Sequence, residues 1–272
     1  MTEPTPTVAD FPTRVLGRRL LHFAEIDSTS DEARRRASDP DSHGLAILAD
    51  HQTAGRGQHG RVWQSPSSLG MLMSLLVRPP DALRQPAKIT ALAAVAVRQT
   101  VFDLTGLLAT IKWPNDILIG GLKVCGILCE SAGPAIVVGI GLNLLHSRAD
   151  FDRRGLPLAT SLAMHTLRPP SIPEVCDRLL TRLDEDYAGL ERGEVAPLEN
   201  RWRAGLDLDG VRIEVESHAG ETVAGRLVHL GFDALAIKTP DGRTLRWVPE
   251  RVRRLGRDPG GRAHDDLRLS GG

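Results

Sequence analysis

The chain has 272 residues, of which 41% are hydrophobic and 25% are charged, and this composition excludes a disordered protein. Its 34 basic and 34 acidic residues cancel, so no net charge attracts nucleic acid or an anionic membrane. Three cysteines exclude a disulfide framework, and the N-terminus lacks the apolar core of a signal peptide. No apolar stretch approaches the roughly 18 residues that a membrane span requires. We therefore expect a soluble cytoplasmic protein.

The first half of the chain alternates predicted strands and helices. Residues 1–15 contain three prolines and no apolar period, which predicts a disordered tail. The polar cluster Asp27–Ser30 precedes a predicted helix, because such residues cap helix N-termini, and this helix ends before Pro40. The other predicted elements are strands at 20–26, 45–50 and 71–77, a helix at 87–104, a hairpin of 116–119 with 123–130, and a strand at 136–142.

The pattern changes after Gly205. Before it, residues 173–192 and 197–204 have the apolar spacing of helices. After it, short alternating segments are separated by Asp-Gly and Ala-Gly pairs, which predicts a small β-barrel. The predicted organisation is a disordered tail at 1–15, a large domain at 16–204, a small β domain at 205–256 and a disordered tail at 257–272.

The first segment with chemical potential is the glycine-rich loop HQTAGRGQHGRVW, residues 51–63. Its glycines allow backbone amides to approach an anion closely, and Arg56 and Arg61 add positive charge. The spacing matches neither a Walker A loop nor a dinucleotide-binding fingerprint, so any phosphate site here is of another type. The alternative is a surface loop that merely connects two strands.

The second segment is IKWPNDILIGGLKVCGILCES, residues 111–131. Of 34 basic residues only four are lysines, and two of them, Lys112 and Lys123, fall in this region. A compact ammonium suits a position between two oxygens where the planar guanidinium of arginine does not fit. Strand alternation predicts that Lys123 shares a face with Cys125 and Ile127. The structural alternative makes Lys123 a strand-edge residue and Trp113 a core residue.

The cysteines do not form a recognisable site. Cys125 and Cys129 lie about 13 Å apart along a strand, too far for a disulfide. No histidine cluster accompanies them, so a zinc site is not expected and both are predicted to be small buried hydrophobic residues.

Together these segments resemble a known family. In order and spacing the chain closely resembles the biotin–protein ligases, or biotin–[acetyl-CoA carboxylase carrier protein] ligases, over residues 18–255. The resemblance implies an α/β (α+β) fold with a mixed central sheet flanked by helices, as in class II aminoacyl-tRNA synthetases and lipoate ligases. It makes residues 16–204 the catalytic domain and residues 205–256 an SH3-like C-terminal domain. The matching motifs are Ser28-Thr29-Ser30, HQTAGRGQHGRVW, KWPND, GLKVCGILCE and VVGIGLNL.

Two features depart from the family pattern. Members that also act as repressors carry a winged helix-turn-helix domain before the ligase, whereas about 17 residues precede the first strand here. We therefore expect the short form, without DNA binding. The family loop often has arginine where this chain has Gln58, so we expect that one phosphate-directed charge is either missing or supplied by Arg61.

The resemblance implies a two-step reaction. The biotin carboxylate attacks the ATP α-phosphate to form biotinyl-5'-AMP, and a carrier lysine then displaces AMP. Lys123 and Arg56 are the implied catalytic residues, because both would neutralise charge between the carboxylate and the phosphate. The implied biotin-binding residues are Ser28, Thr29, Ser30, Gln52, Gly55, Arg56, Gly57, Gln58, Lys123 and Gly126. The implied ATP- and adenylate-binding residues are Arg61, Trp63, Lys112, Asn115, Asp116 and Asn143.

The resemblance also implies the ligands and partners. The substrates are biotin and ATP with Mg²⁺, for which no protein ligand is assigned. The protein partner is the biotin carboxyl-carrier domain of acyl- or acetyl-CoA carboxylases, and neither DNA nor a membrane is expected. The oligomeric state is expected to be a monomer or a weak homodimer.

Two alternatives remain open. A lipoate or octanoate ligase or transferase shares the fold but needs an apolar tunnel instead of polar groups for a ureido ring. A non-catalytic ligand-sensing or RNA-binding module would fit the arginine-rich segment 251–257, but such a module would not need Lys123 or Arg56.

Overall fold

A mixed eight-stranded sheet forms the centre of the computed structural model, which describes residues 4–66 and 68–258, except for the His59 side chain. Its order is β1-β2-β3-β4-β8-β7-β6-β5, in which β2 and β3 are parallel and the other six pairs are antiparallel. This confirms the predicted mixed sheet. The strands are β1 (Thr7–Asp10), β2 (Arg19–Ile26), β3 (Ala46–Gln52), β4 (Gly70–Val77), β5 (Thr110–Lys112), β6 (Asp116–Ile119), β7 (Leu122–Ala132) and β8 (Ala135–Asn143).

Helices cover both faces of this sheet. The helices are α1 (Thr29–Arg35), α2 (Pro86–Thr105), α3 (Arg148–Asp152), α4 (Ile172–Glu191) and α5 (Val195–Leu206). Neighbouring residues of β3 point to opposite faces of the sheet and pack in two different hydrophobic cores. Leu48 packs in the core that includes α2 and α4, whereas Ile47 packs with Ala33 of α1. Among the described residues, no helix is long and apolar enough to cross a membrane.

The N-terminal segment is more ordered than the sequence predicted. The expected disordered tail at 1–15 is wrong for its described part, because β1 pairs with β2 along its whole length. Leu16 is fully buried. Residues 1–3 of that tail lie outside the described residues.

A buried carboxylate from α4 explains this order. Both oxygens of Asp184 accept backbone N–H bonds, from Arg14 at 2.7 Å and from Val15 and Leu16 at 2.8 Å. Asp184 is itself buried. These partners are about 170 positions apart in the chain, so a local composition rule could not detect them.

A second, five-stranded antiparallel sheet follows the helices. Its order is β12-β11-β10-β9-β13. The predicted alternating strands between 211 and 248 are confirmed, whereas β13 falls partly in the region that was expected to be a tail. Residues 259–272 of that tail lie outside the described residues. The strands are β9 (Arg212–Ser217), β10 (Thr222–Leu230), β11 (Leu235–Lys238), β12 (Thr244–Trp247) and β13 (Val252–Arg257).

Aromatic side chains join the two sheets. Trp113, buried and followed by a cis peptide to Pro114, donates its indole N–H to the Val252 carbonyl at 3.0 Å. Its ring lies 5.8 Å from that of Trp202, which lies 5.1 Å from Phe232. Trp113 is therefore a core residue, as the structural alternative expected, and it connects the KWPND motif to the second sheet.

All three cysteines are free. Cys125 is buried, as predicted, whereas Cys129 is only partly buried. Cys176 on α4 is also buried. Burial raises the pKa of the Cys176 thiol to about 12 and also raises the pKa of Cys125. Both thiols are therefore neutral and unreactive at physiological pH.

Asp184→Asn should destabilise the protein. The asparagine side chain has only one acceptor oxygen, and its NH₂ group would face a backbone N–H donor. We therefore expect the free energy of unfolding to fall by about 2–3 kcal/mol. Asp177→Asn, an exposed change on the same helix, is the control and should change it by less than about 0.5 kcal/mol. Urea unfolding checks this, and equal curves for Asp184→Asn and wild type would contradict the anchoring role.

Candidate functional site

A cavity of about 740 Å³ lies on one face of the central sheet and extends to the second sheet. In strand order it runs from β3 and β4 across β8 and β7 to β5. The structure brings together most of the residues that the resemblance implied. Those that line the cavity are Thr29, Ser30, Gln52, Arg56, Gly57, Gln58, Arg61, Trp63, Lys112, Asn115, Asp116, Lys123, Gly126 and Asn143.

Two of the implied residues do not line it. Ser28 is fully buried and caps α1, its hydroxyl accepting the Asp31 N–H at 3.4 Å. Gly55 is buried within the glycine-rich loop, and an added Cβ at this position would lie 2.5 Å from the Trp63 carbonyl oxygen. Both residues shape the wall of the cavity, and neither reaches its interior.

Polar groups converge where α1 meets β3 and β4. Gln52 Oε1 accepts from the Thr29 backbone N–H at 2.8 Å and from its hydroxyl at 3.0 Å. Ser74 Oγ lies 2.8 Å from the Thr29 hydroxyl and 3.0 Å from the Ser30 hydroxyl. Sequence reasoning missed Ser74, although a lone polar residue in the buried strand MLMSLLV was a usable signal.

The floor of the cavity is bare backbone covered by an indole ring. Gly126 and Gly141 are directly paired across β7 and β8. An added Cβ would lie 2.8 Å from the Trp63 ring at Gly126 and 2.4 Å from it at Gly141. Trp63 Nε1 is buried and has no hydrogen-bond partner among the described residues. The indole N–H is therefore enclosed between the ring and the backbone of the sheet, 2.8 Å from the position of an added Cβ at Gly141.

Lys123 lies beside this floor, on a face that the sequence did not predict. A register irregularity between β6 and β7 pairs Ile117 with Cys125 but Leu118 with Lys123. This bulge changes the alternation, so that Cys125 points into the core while Lys123 shares the cavity face with Gly126. The expected common face of Lys123 and Cys125 is wrong for this reason.

The Lys123 ammonium is held on several sides. Its Nζ lies 2.5 Å from an Asp116 carboxylate oxygen and 5.5 Å from the centre of the Trp63 ring. Its backbone N–H donates to the Leu158 carbonyl and its carbonyl accepts from the Thr160 N–H, both at 2.8 Å. The cation therefore lines the cavity with one carboxylate partner.

The two implied asparagines brace the backbone. The Asn115 side-chain amide donates to the Ile127 carbonyl, and the Ile127 N–H donates back to the Asn115 carbonyl at 3.0 Å. The Asn143 side-chain amide donates to the Thr160 carbonyl at 3.0 Å. Each asparagine therefore holds part of the cavity wall in addition to facing the cavity.

Arg56 faces two carboxylates. Its guanidinium lies 2.7 Å from Asp31 and 2.8 Å from Glu130. The resemblance implied that this guanidinium would cover the ligand's carboxylate and phosphate, whereas here its charge is matched within the protein. Asp31 and Glu130 are 99 positions apart, so their convergence on Arg56 could not be seen in the sequence.

Three other cations line the cavity without such partners. Arg61 on the loop, Lys112 on β5 and Arg254 on β13 make no ion pair within the part of the chain that the structure describes. The adjacent Arg253 pairs with Glu216 at 3.0 Å, and both also line the cavity. Sequence reasoning missed this contribution of the second sheet, because contacts between residues far apart in the chain bring that sheet to the cavity.

Comparison with known proteins identifies the family of this arrangement. The chain matches the Biotin/lipoate A/B protein ligase family over residues 22–144. It is 36% identical over 217 residues to the biotin--[acetyl-CoA-carboxylase] ligase of Mycobacterium tuberculosis, covering 76% of this chain and 78% of that protein. It is also 34% identical over 197 residues to the bifunctional ligase/repressor BirA of Bacillus subtilis. That match covers 71% of this chain but only 61% of the relative, so the chain spans about three-fifths of its length.

The fold comparison agrees. The structure is similar to the Aquifex aeolicus biotin protein ligase in complex with biotin and ATP, with a TM-score of 0.72 and 24% identity, covering 88% of this chain and 99% of that chain. At this identity the likeness concerns the fold, and the sequence relatives provide the closer relationship. The chain belongs to the Biotin/lipoate A/B protein ligase family and, within it, to the biotin protein ligases.

Proposed function

We propose that this protein is a biotin–protein ligase, an ATP-dependent enzyme that forms biotinyl-5'-AMP and transfers biotin to a carrier lysine. The observation that best supports this is the ammonium of Lys123, held by Asp116 in a cavity large enough for a small ligand. Hydroxyl and amide groups line the β3–β4 side of this cavity, and other parts of it are lined by cations that have no ion pair among the described residues. One cavity therefore offers both a site for a polar ring and a site for phosphates.

In the first step a biotin carboxylate oxygen attacks the α-phosphorus of ATP. A P–O bond forms, the bond to the β-phosphate oxygen breaks, and pyrophosphate leaves. Two anionic groups must approach each other, so the main task of the protein is to neutralise charge and align the reactants. The Lys123 ammonium is placed for this task, and Asp116 fixes its position. Arg61, Lys112 and Arg254 supply positive charge for the polyphosphate.

In the second step the ε-amine of the carrier lysine attacks the acyl carbon of the mixed anhydride. An amide bond forms, AMP leaves and the amine loses one proton.

Mg²⁺ enters as part of the MgATP substrate. The described residues contain no group of three or more His, Cys, Asp or Glu side chains suited to a metal. Mg²⁺ usually keeps several waters and binds through substrate phosphates with one or two carboxylates, so phosphate oxygens and water are expected among its ligands.

The polar end of the cavity favours biotin over lipoate or octanoate. A ureido ring offers two N–H donors and a carbonyl acceptor, and Thr29, Ser30 and Gln52 place hydroxyl and amide groups at the wall. These groups hydrogen-bond with one another and with Ser74, and an apolar acyl chain could form no hydrogen bond with their remaining donors and acceptors.

The division into domains and the partners belong to the same proposal. We assign residues 16–204 to the catalytic domain and residues 205–256 to an SH3-like domain built from β9–β13. The carrier is a biotin carboxyl-carrier domain of an acyl- or acetyl-CoA carboxylase, as the name of the M. tuberculosis relative indicates for that protein. A monomer or weak homodimer acting without DNA in the cytoplasm is expected.

The deciding experiment is biotin transfer in a purified system. The protein is incubated with biotin, MgATP and a biotin carboxyl-carrier fragment, and the product is detected with streptavidin. A carrier fragment with its target lysine changed to arginine is the control. Lipoate replaces biotin in a parallel reaction detected by mass spectrometry. Absence of biotin transfer, or faster transfer of lipoate, would contradict the proposal.

Lys123→Arg should slow adenylate formation although it conserves the charge. The Lys123 ammonium lies beside Asp116, the Trp63 ring and Gly126, and the larger planar guanidinium of arginine would place its charge at a different position. We expect biotin-dependent pyrophosphate release to fall about 100-fold, or about 2.7 kcal/mol of transition-state stabilisation. Lys88→Arg, remote from the cavity lining, is the matched control and should have wild-type activity. A rate within twofold of wild type for Lys123→Arg would contradict this role.

Gly141→Ala should weaken biotin binding by displacing Trp63. Its Cβ would overlap the indole ring at 2.4 Å, so the ring must leave the cavity floor. Such overpacking costs about 1–3 kcal/mol, so we expect the dissociation constant for biotin to rise about tenfold or more in calorimetric titration. Gly256→Ala is the control, since it lies in a strand with open space around it. Trp63→Leu in the Gly141→Ala background should restore part of the packing. Unchanged biotin affinity in Gly141→Ala would show that this contact does not matter for binding.

A further inference from the structure

Four charged side chains form a closed ring beside the cavity, here called the ion-pair quartet: Arg34, Arg56, Asp31 and Glu130. Arg56 contacts Asp31 at 2.7 Å and Glu130 at 2.8 Å. Arg34 contacts the same carboxylates at 3.1 Å and 3.0 Å. Each arginine thus bridges both acids, and each acid accepts from both arginines.

The quartet connects three separate parts of the fold. Asp31 and Arg34 lie on α1, Glu130 lies on β7 and Arg56 lies on the glycine-rich loop. The side chains are 26–37% exposed, so they are partly shielded from water and each is held by two partners. A network of this kind is better defined than a single surface pair.

The loop has an internal structure that the quartet can hold. Arg56 pairs with Val62 across a short antiparallel bridge, and the Gly57 N–H donates to the Arg61 carbonyl at 2.7 Å. The Trp63 N–H donates to the Gly55 carbonyl at 3.1 Å. One arm of this small hairpin is fixed by the quartet, and the other arm is fixed by the Trp63 ring on the sheet.

The charge balance of the quartet is neutral, with two cations and two anions. Arg56 therefore does not have to serve as the counter-charge of a ligand. Arg61, Lys112, Arg254 and Lys123 already face the cavity, and the first three have no acidic partner within the described residues. Arg56 also lines the cavity, but it differs from Arg61, Lys112 and Arg254 in having two acidic partners.

We propose that Asp31 and Glu130 are positioning residues that act through Arg56 to hold the glycine-rich loop closed over the bound adenylate. The ligand named here rests on the proposed function, whereas the loop-holding role does not. In this arrangement the quartet sets how long the reactive anhydride is retained and leaves the chemical step to Lys123.

Glu130→Gln and Asp31→Asn test this role in two ways. In the free protein, amide hydrogen exchange across residues 54–63 should accelerate about tenfold, because an uncharged amide pairs weakly with both arginines. In the loaded protein, biotinyl-adenylate should dissociate about tenfold faster, while single-turnover pyrophosphate release stays within about threefold of wild type. Glu185→Gln, which removes one exposed acid from the unrelated Arg182 pair, is the matched control. Asp31 is partly exposed on α1, so Asp31→Asn provides the same test if Glu130→Gln fails to fold.

A double-mutant cycle tests whether the quartet acts as a unit. Arg56→Met and Glu130→Gln should each accelerate loop exchange, and the double variant should be little worse than Arg56→Met alone. Multiplicative effects of the two changes would overturn the proposal. So would unchanged exchange in both acidic variants, or pyrophosphate release that falls far more in Arg56→Met than in Glu130→Gln. The last result would place Arg56 on the reacting atoms.

The two proposals fail in distinguishable ways. Exchange in the free protein needs neither biotin nor ATP, so it decides the loop-holding role by itself. If the wild-type protein forms no adenylate, the proposed function fails while the exchange comparison remains valid. If adenylate forms and is lost at the same rate from wild type and both acidic variants, the retention role fails while the proposed function stands.

Discussion

Gly126 and Gly141 face each other across β7 and β8, and their missing side chains leave bare backbone on one face of the central sheet. The Trp63 indole packs so closely against this surface that a Cβ on either glycine would overlap the ring. The glycine-rich loop must therefore fold back over the sheet, which places Arg56 beside its two carboxylates and Lys123 beside the ring. The shape of the cavity depends on this one close approach.

A second dependence runs through Trp113. Its hydrogen bond to the Val252 carbonyl attaches the second sheet to the same motif that contains Asp116. Because Arg254 follows two residues later on β13, the small sheet contributes to the cavity wall and is more than an appended unit. The KWPND motif thus combines a polar role at Asp116 with a packing role at Trp113, which explains why both the functional and the structural interpretations of this segment were reasonable.

Local rules predicted the elements whose causes are local. The amphipathic helix at α4, the β6–β7 hairpin and the alternating strands after Gly205 all follow from periodicity and turn residues. The same rules failed in two places. Asp184, about 170 positions away, orders the N-terminal segment. Within the β6–β7 hairpin, a bulge that simple alternation does not predict reverses the expected face of Lys123.

By itself, the sequence contained the family motifs, and the resemblance that they carry implied the mixed α/β class and most of the side chains that line the cavity. Only the tertiary structure decided what each side chain does there. It directed Arg56 to Asp31 and Glu130, kept Ser28 as a helix cap and brought Arg254 to the cavity from the second sheet. The physical reason is that charge pairing and packing act between residues far apart in the chain, and their geometry exists only once the strands are in register.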